Sequence, residues 1–258
     1  MATGRTLTDY QRIYIDGYDL SCYALDSGAQ GLTWEEYDQT AFCNPVHGVQ
    51  LGKPSIEFGP LNAVFDNTAT SGFHVLANAA QGIKRNIMLT YGIRAAPANY
   101  DPCFCIPAYQ LAYKAMGEGV VNATVDFSGK DANTSLNYRQ FWGNALHVMS
   151  SETGANSSTA CVDGGEETAY GGWLMYHIYS ITGAGTATIS VDDSSDGASF
   201  GALSGATSGA IATASAPTSG IVQLGTTATV KRYLRWQLAL STSTACTFAL
   251  AFMRAKTG

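Results

Sequence analysis

The chain has 258 residues, 13% of them charged and 46% hydrophobic, with 28 glycines and a formal net charge of −6. That length accommodates one large β domain or two ordinary ones. The acidic balance excludes a basic nucleic-acid reader, which needs clustered Lys and Arg to displace counterions from phosphate. No apolar run reaches the ~18 residues of a membrane helix, so no membrane association is expected.

The start, MATGRTLTDYQR, is polar and lacks the apolar core of a secretory signal. On that reading Cys22, Cys43, Cys103, Cys105, Cys161 and Cys246 are expected to be reduced, buried small hydrophobes. Sequons at Asn122, Asn133 and Asn156 carry no weight without secretion.

In chain order, residues 12–26 read as a hairpin about Asp16-Gly17, a strong two-residue turn pair, with Tyr18 to Leu25 as the returning strand. Its carboxylates Asp16, Asp19 and Asp26 are assigned to the turn and the rim rather than to an active site. LTWEEYDQTAFCNPVHGVQLGKP has few regular apolar positions and is expected to be a long loop. It offers Trp34, Tyr37 and Phe42 without an evident local core, which makes these three the candidates for a contact with a neighbouring subunit. SIEFGPLNAVFDN is extended, and SGFHVLANAAQG, 71–82, is the single expected helix, with Ser71 as N-cap and Gly82 past its end.

KRNIMLTYGI reads as a strand, followed by a Pro-rich bend at DPCFCIP and a second strand, AYQLAYKAM. VVNATVDFSG alternates: Val121, Ala123, Val125 and Phe127 face one way, Asn122, Thr124, Asp126 and Ser128 the other. The polar stretch 128–145 predicts a boundary between residues 1–143 and 144–258. Beyond it GGWLMYHIYSI and TATISV are expected strands, DDSSDG a turn, and TVKRYLRWQLAL–STST–ACTFALAFM a terminal hairpin turning at STST, with Val230, Leu234, Trp236, Leu238 and Leu240 sharing a face that also includes Arg232, and Cys246, Phe248, Leu250 and Phe252 returning on one face. The fold class predicted is mainly β: packed antiparallel sheets with one flanking helix, then a C-terminal β-sandwich.

No catalytic motif survives inspection. Gly197-Ala-Ser-Phe-Gly201 matches a nucleophile elbow, but no Asp, Glu or His follows it. Asp192 to Gly197 resembles the start of a calcium loop, yet its twelfth position is Leu203 where a bidentate Glu is needed. Gly48 to Ser55 is one residue short of a phosphate loop and carries Pro at the magnesium position. His47, His74, His147 and His177 are widely spaced, and Cys103-Phe-Cys105 has no partner motif. No enzyme activity, cofactor or metal is expected.

Taken in order, IDGYDLSCY, the passage from FGPLNAVFDN to SGFHVLANA, ETAYGGWLMYHIYSITG, the DSSDG turn and TVKRYLRWQLALSTSTACTFALAFMR resemble the major tail tube protein of a long-tailed bacteriophage. The resemblance implies a tube-forming N-terminal domain, 1–143, assembling into stacked, usually hexameric rings, and a C-terminal β-sandwich, 144–258, decorating the outside. It implies a virion protein assembled in the host cytoplasm, in contact with tape-measure, tail-terminator and baseplate or tip proteins. Viral DNA would pass through the lumen without sequence-specific binding. The face carrying Asn122, Thr124, Asp126 and Ser128 is then either an ordinary solvent face or the lumen wall. The alternative is a carbohydrate- or receptor-binding β-sandwich on the virion surface, prompted by Trp142, Tyr170, Trp173, Tyr176 and Tyr179.

Overall fold

The computed structural model describes residues 10–41, 46–69, 72–93, 95–115, 122–128 and 140–256. Among them the chain is mainly β, as its alternating segments require. In order the strands are β1 (Gln11–Ile15), β2 (Tyr18–Asp19), β3 (Ala24–Asp26), β4 (Gln30–Asp38), β5 (Val49–Phe58) and β6 (Leu61–Val64), then helix α1 (Phe73–Asn78). There follow β7 (Lys84–Tyr91), β8 (Pro102–Ala115), β9 (Asn122–Phe127), β10 (Trp142–Thr153), β11 (Asn156–Ser157), β12 (Val162–Asp163) and β13 (Gly172–Ser194). The last are β14 (Gly201–Thr207), β15 (Ile211–Ala212), β16 (Thr218–Gln223) and β17 (Tyr233–Arg254). The chain divides into two compact units, one of residues 23–84 and 108–134, the other of 1–22, 85–107 and 135–258.

In the first unit β3, β6, β9 and the second half of β8 make antiparallel neighbours. Ala123, Val125 and Phe127 of β9 are buried, as their alternation predicted, and Val121 lies outside the described residues. Helix α1 buries Phe73 and Ala77, and Gln110 of β8 donates from Nε2 to the Ala77 carbonyl at 2.5 Å. Its N-cap is Gly72; the expected cap, Ser71, is outside the described residues.

The second unit is organised by β13 and β17, which pair from Gly172↔Arg254 to Ser194↔Tyr233. Trp236 and Phe248 stand twelve positions apart on β17, which spans about 40 Å in an extended strand. Their rings nevertheless meet at 5.7 Å. The ribbon therefore bends and packs one half on the other, the way strands pass between two layers at a bulged corner. The corner lies at Gly183 and Gly185 opposite Thr242, where the register shifts. Gly185 has φ +149, and a Cβ there would come within 1.9 Å of the Ser241 carbonyl. Hydroxyls strap the bend: Thr213 donates to the carbonyls of Gly183 (2.8 Å) and Gly185 (3.2 Å), and Thr242 to that of Ala184. Leu174, Ile178 and Ile189 from β13 and Leu234, Leu238, Leu250 and Phe252 from β17 share one core cluster between the halves.

Several expectations for individual elements are corrected. STST is not a hairpin turn, because it supplies none of the Gly or Asn that a two-residue turn needs; β17 continues through it and bends there, with Thr242 at φ +59. GGWLMYHIYSI and TATISV are one strand, bulged at its glycines rather than interrupted. DPCFCIP is not a bend: Pro102 opens β8, and Cys103 to Ile106 are buried on both faces. The strand returning from Asp16-Gly17 is only Tyr18–Asp19, and β3 pairs with β6 instead. The predicted boundary between 143 and 144 falls inside β10. Of the cysteines, Cys103, Cys105 and Cys246 are buried thiols and Cys161 is partly buried, but Cys22 is exposed; Cys43 is outside the described residues.

Candidate assembly surfaces

Of the segment expected to be a loop, 32–54, residues 32–38 and 49–54 belong to a two-stranded ribbon. β4 and β5 pair from Gln30↔Phe58 to Asp38↔Val49 and form a two-stranded sheet of their own. At its root the chain segments cross at two glycines. Gly28 has φ +57, and a Cβ on it would lie 2.7 Å from the Gly59 Cα; one on Gly59 would lie 2.8 Å from the Ala29 nitrogen. The Gly59 N–H donates to the Ala29 carbonyl at 2.8 Å, and Gln30 Nε2 donates to the Ser27 carbonyl at 2.7 Å.

Paired residues of an antiparallel ribbon share a face. One face of this ribbon carries Leu32, Trp34, Glu36 and Asp38 from β4 with Ile56, Leu51 and Val49 from β5; the other carries Thr33, Glu35, Tyr37, Gln50 and Ser55. The first face is apolar near its root, sets Glu36 and Asp38 beside Leu51 and Val49 further out, and is buried only at its root. Ile56 and Phe58 are buried, whereas Trp34 is 39% exposed, Val49 56% and Leu51 58%. On the second, Tyr37 donates to Glu35 at 2.6 Å, and the neighbouring carboxylate raises the phenol's pKa. The far end is closed by the Gln39 N–H on the Gly48 carbonyl (2.8 Å). Phe42 lies outside the described residues. Trp34 and Tyr37, both expected to meet a neighbouring subunit, thus stand on opposite faces.

The polar face of β9 is as alternation predicted, but its neighbours change its character. Thr124 donates to Asn62 Oδ1 at 2.9 Å, and Asp126 forms an ion pair with Lys114 of β8 at 2.7 Å. Ser128 exchanges hydrogen bonds with the Tyr109 backbone, and Asn122 is exposed. The strand alone is acidic; with Lys114 beside it, the face is close to neutral. Strand pairing across β8 and β9 decides this, and no local signal in VVNATVDFSG announces it.

The carboxylates that drew attention in the sequence are structural. Asp16 (φ +49) and Gly17 (φ +92) form the predicted tight turn. Asp16 also pairs with Arg85 and accepts from the Asn86 N–H (2.9 Å) and Ser219 Oγ (3.2 Å). The Gly17 N–H donates to the fully buried His177 Nδ1 at 3.1 Å, and burial holds the His177 pKa down to about 3. Asp19 accepts from the Ser21 N–H at 3.0 Å, and Asp26 accepts from the Gly28 N–H at 3.3 Å.

Nor do the candidate calcium-loop oxygens stand open. Asp192 accepts from Arg235 (3.0 and 3.1 Å) and Gln237, Asp193 from the Lys231 backbone (3.1 Å) with the Lys231 ammonium at 3.4 Å, and Asp196 from the Ala198 and Ser199 N–H groups. Those turn hydrogen bonds hold the Asp196 pKa below the usual carboxylate range. Ser199 lies in this turn, without the strand-to-helix elbow a nucleophile requires. The phosphate-loop echo at Gly48 to Ser55 runs into β5 instead of opening a helix. Among the described residues no group of His, Cys, Asp and Glu is placed to hold a metal.

No family model and no curated protein matches the sequence. Among solved structures, the SPP1 Dit protein, described as a paradigm of the hub adsorption apparatus in phages infecting Gram-positive bacteria, aligns over 94% of this chain and 98% of its own at 12% identity, with a TM-score of 0.33. The phage p2 baseplate in its activated conformation with Sr aligns over 96% and 99% at 10% identity and a TM-score of 0.33. The same baseplate with Ca gives 96%, 99%, 10% and 0.32.

Proposed function

We propose that this chain is a structural virion protein of a long-tailed bacteriophage, self-assembling into stacked hexameric rings that form the tail tube through which viral DNA is ejected. One observation carries the reading: β4 and β5 form a ribbon whose apolar face, Trp34, Val49 and Leu51, is exposed within a single copy. An isolated two-stranded ribbon is marginal in water, and such a face is a site for another chain. A second copy is the partner. Among the described residues β3 pairs with β6 alone, so its other edge is open as well. Contacts between unlike surfaces of identical copies close into rings when the rotation permits, and a further contact between rings stacks them into a tube.

In such a tube the face of Asn122, Thr124, Asp126 and Ser128 lines the lumen. A conduit must not adhere to a cargo carrying one phosphate charge per ~1.7 Å of duplex, and a polar wall whose single cation is neutralised meets that requirement. Residues 144–258 form the outer decoration domain; in support, the buried members of the core cluster lie within 146–252, with Tyr100 packed against them. Tape-measure, terminator and tip proteins are the expected neighbours in the virion.

The test is electron microscopy and sedimentation velocity of the purified full chain beside a variant carrying Trp34→Ser, Val49→Ser and Leu51→Ser. Rings or tubes are expected from the wild type and a folded monomer from the variant. A wild type that stays monomeric at high concentration overturns the assembly reading. A variant that still builds full-length tubes removes the ribbon from it.

A further inference from the structure

We infer that the cleft beside Trp142, within the unit built on β13 and β17, is a binding site for a neutral oligosaccharide. The cleft measures about 310 Å³ and is walled by Trp142, Asn144, Asp163, Arg254 and Lys256 over a floor that includes Leu146 and Phe252. That volume is at the small end of ligand clefts and suits a sugar ring with its substituents. Trp142 is 38% exposed, and its indole is braced by Tyr91 (ring centroids 5.4 Å apart) and Phe104 (5.3 Å). A braced, half-exposed aromatic ring offers an apolar plane to the C–H face of a pyranose at little cost in side-chain freedom.

The polar groups select among ligand classes. Arg254 spends its guanidinium on backbone carbonyls: Nη1 on Val230 (2.8 Å) and Glu166 (3.3 Å), Nη2 on Arg232 (3.0 Å). Asp163 is held by Arg232 through two hydrogen bonds of 2.6 and 2.7 Å, which lower its pKa to about 2 and keep it ionised. An anionic ligand would therefore meet, beside Lys256, a permanent carboxylate and an arginine with three of its five N–H donors engaged. A cationic ligand would meet Arg254 and Lys256.

What remains is mostly acceptor. Asn144 Nδ2 donates to the Tyr100 carbonyl (3.0 Å) and Gln140 Nε2 to the Trp142 carbonyl (2.7 Å), so each amide oxygen is left to accept. Hydroxyl groups beside an apolar plane are the complement of that arrangement. A second cleft of about 410 Å³, lined by Glu166, Glu167 and Tyr170 among others, shares Gly164, Arg254 and Lys256 with the first. Two clefts that meet at the same residues favour a chain of sugars over a single one.

The experiment titrates the full chain with neutral hexasaccharides of glucose, galactose, mannose and N-acetylglucosamine, read by calorimetry and tryptophan fluorescence. Saturable binding to at least one is expected, about tenfold weaker in Trp142→Ala. Asn144→Ala should also weaken it, Trp142→Phe should retain most of it, and Trp34→Ala should leave it unchanged. Near-ultraviolet circular dichroism separates loss of the site from loss of the fold. No saturable binding up to about 10 mM of every sugar, binding indifferent to both Trp142→Ala and Asn144→Ala, or stronger binding to a sulfated hexasaccharide than to any neutral one would each overturn the proposal. None of these outcomes depends on whether the chain forms tubes.

Discussion

Two antiparallel ribbons of this chain, β13 with β17 and β4 with β5, carry apolar side chains at alternate positions and meet opposite ends. The first is long enough to fold back on itself, so its own second half covers the apolar face of its first, and Trp236, Phe248 and Leu250 are buried. The second is too short to do so, and past Ile56 its apolar face stays exposed. Local pairing is the same in both. What distinguishes them is whether enough chain remains to build a cover, since a β face gains hydrophobic stabilisation only when something dry lies against it.

The largest effect should come from the covered ribbon. Phe248→Ala should cost about 3–5 kcal/mol in urea unfolding, because the site is closed on every side and cannot collapse. By the same measurement on a dilute monomer, Leu51→Ala should cost under about 0.5 kcal/mol. Equal costs would erase the distinction between the ribbons.

The corner comes next. Gly185→Ala should cost about 2–3 kcal/mol, since its φ of +149 and the Ser241 carbonyl both resist a Cβ. Gly82→Ala is the control: φ there is +74, but nothing lies within 4 Å of a new Cβ. That change should cost about 1 kcal/mol. If the two substitutions cost the same, close approach does not hold the corner.

Acid should weaken the covered ribbon rather than the β4–β5 arm. His177 on β13 keeps a folded pKa near 3 through burial, against an unfolded value of about 6.5. Its contribution is present in full above about 6.5 and is lost progressively as pH falls toward 3, because only the unfolded chain takes up the proton there. Burial lowers the pKa of His147 too, opposed by Glu152 at 3.0 Å, so it acts in the same direction. His177→Gln retains an acceptor for the Gly17 N–H and removes the titration. It should therefore flatten the slope of urea midpoint against pH over this range. An unchanged slope would assign the acid sensitivity elsewhere.

Only a small change in stability is expected at Asp126→Lys, because the ion pair with Lys114 is largely exposed and such pairs contribute at most about 1 kcal/mol. Its effect belongs to function: two adjacent cations per copy should slow DNA ejection from assembled particles in a salt-sensitive way. Normal ejection at low salt would place this face outside the lumen.

Much of this was written locally. Alternation placed Ala123, Val125 and Phe127 inward on β9 and Leu234, Trp236, Leu238, Phe248 and Leu250 inward on β17, and Asp16-Gly17 marked its turn, because side-chain period and backbone handedness are properties of a few consecutive residues. The arm was not legible in this way. Its apolar face runs Leu32, Trp34, Glu36, Asp38 along one strand, and the stripe appears only when β5 brings Leu51 and Val49 alongside. The sugar cleft was half legible: Trp142 stood out as an aromatic, but Asp163 and Arg254 reach it from strands far away in sequence.

The amino-acid order therefore settled the class of fold, the inward residues of the clearest strands and the absence of a recognisable catalytic motif, all of which follow from composition and short-range periodicity. Tertiary structure decided that β17 bends instead of turning, that Lys114 neutralises Asp126, and that one ribbon is covered while the other is not. Those outcomes depend on which distant strands become neighbours. Neighbour choice reflects the burial of whole faces at once, a sum over the chain that no short window contains.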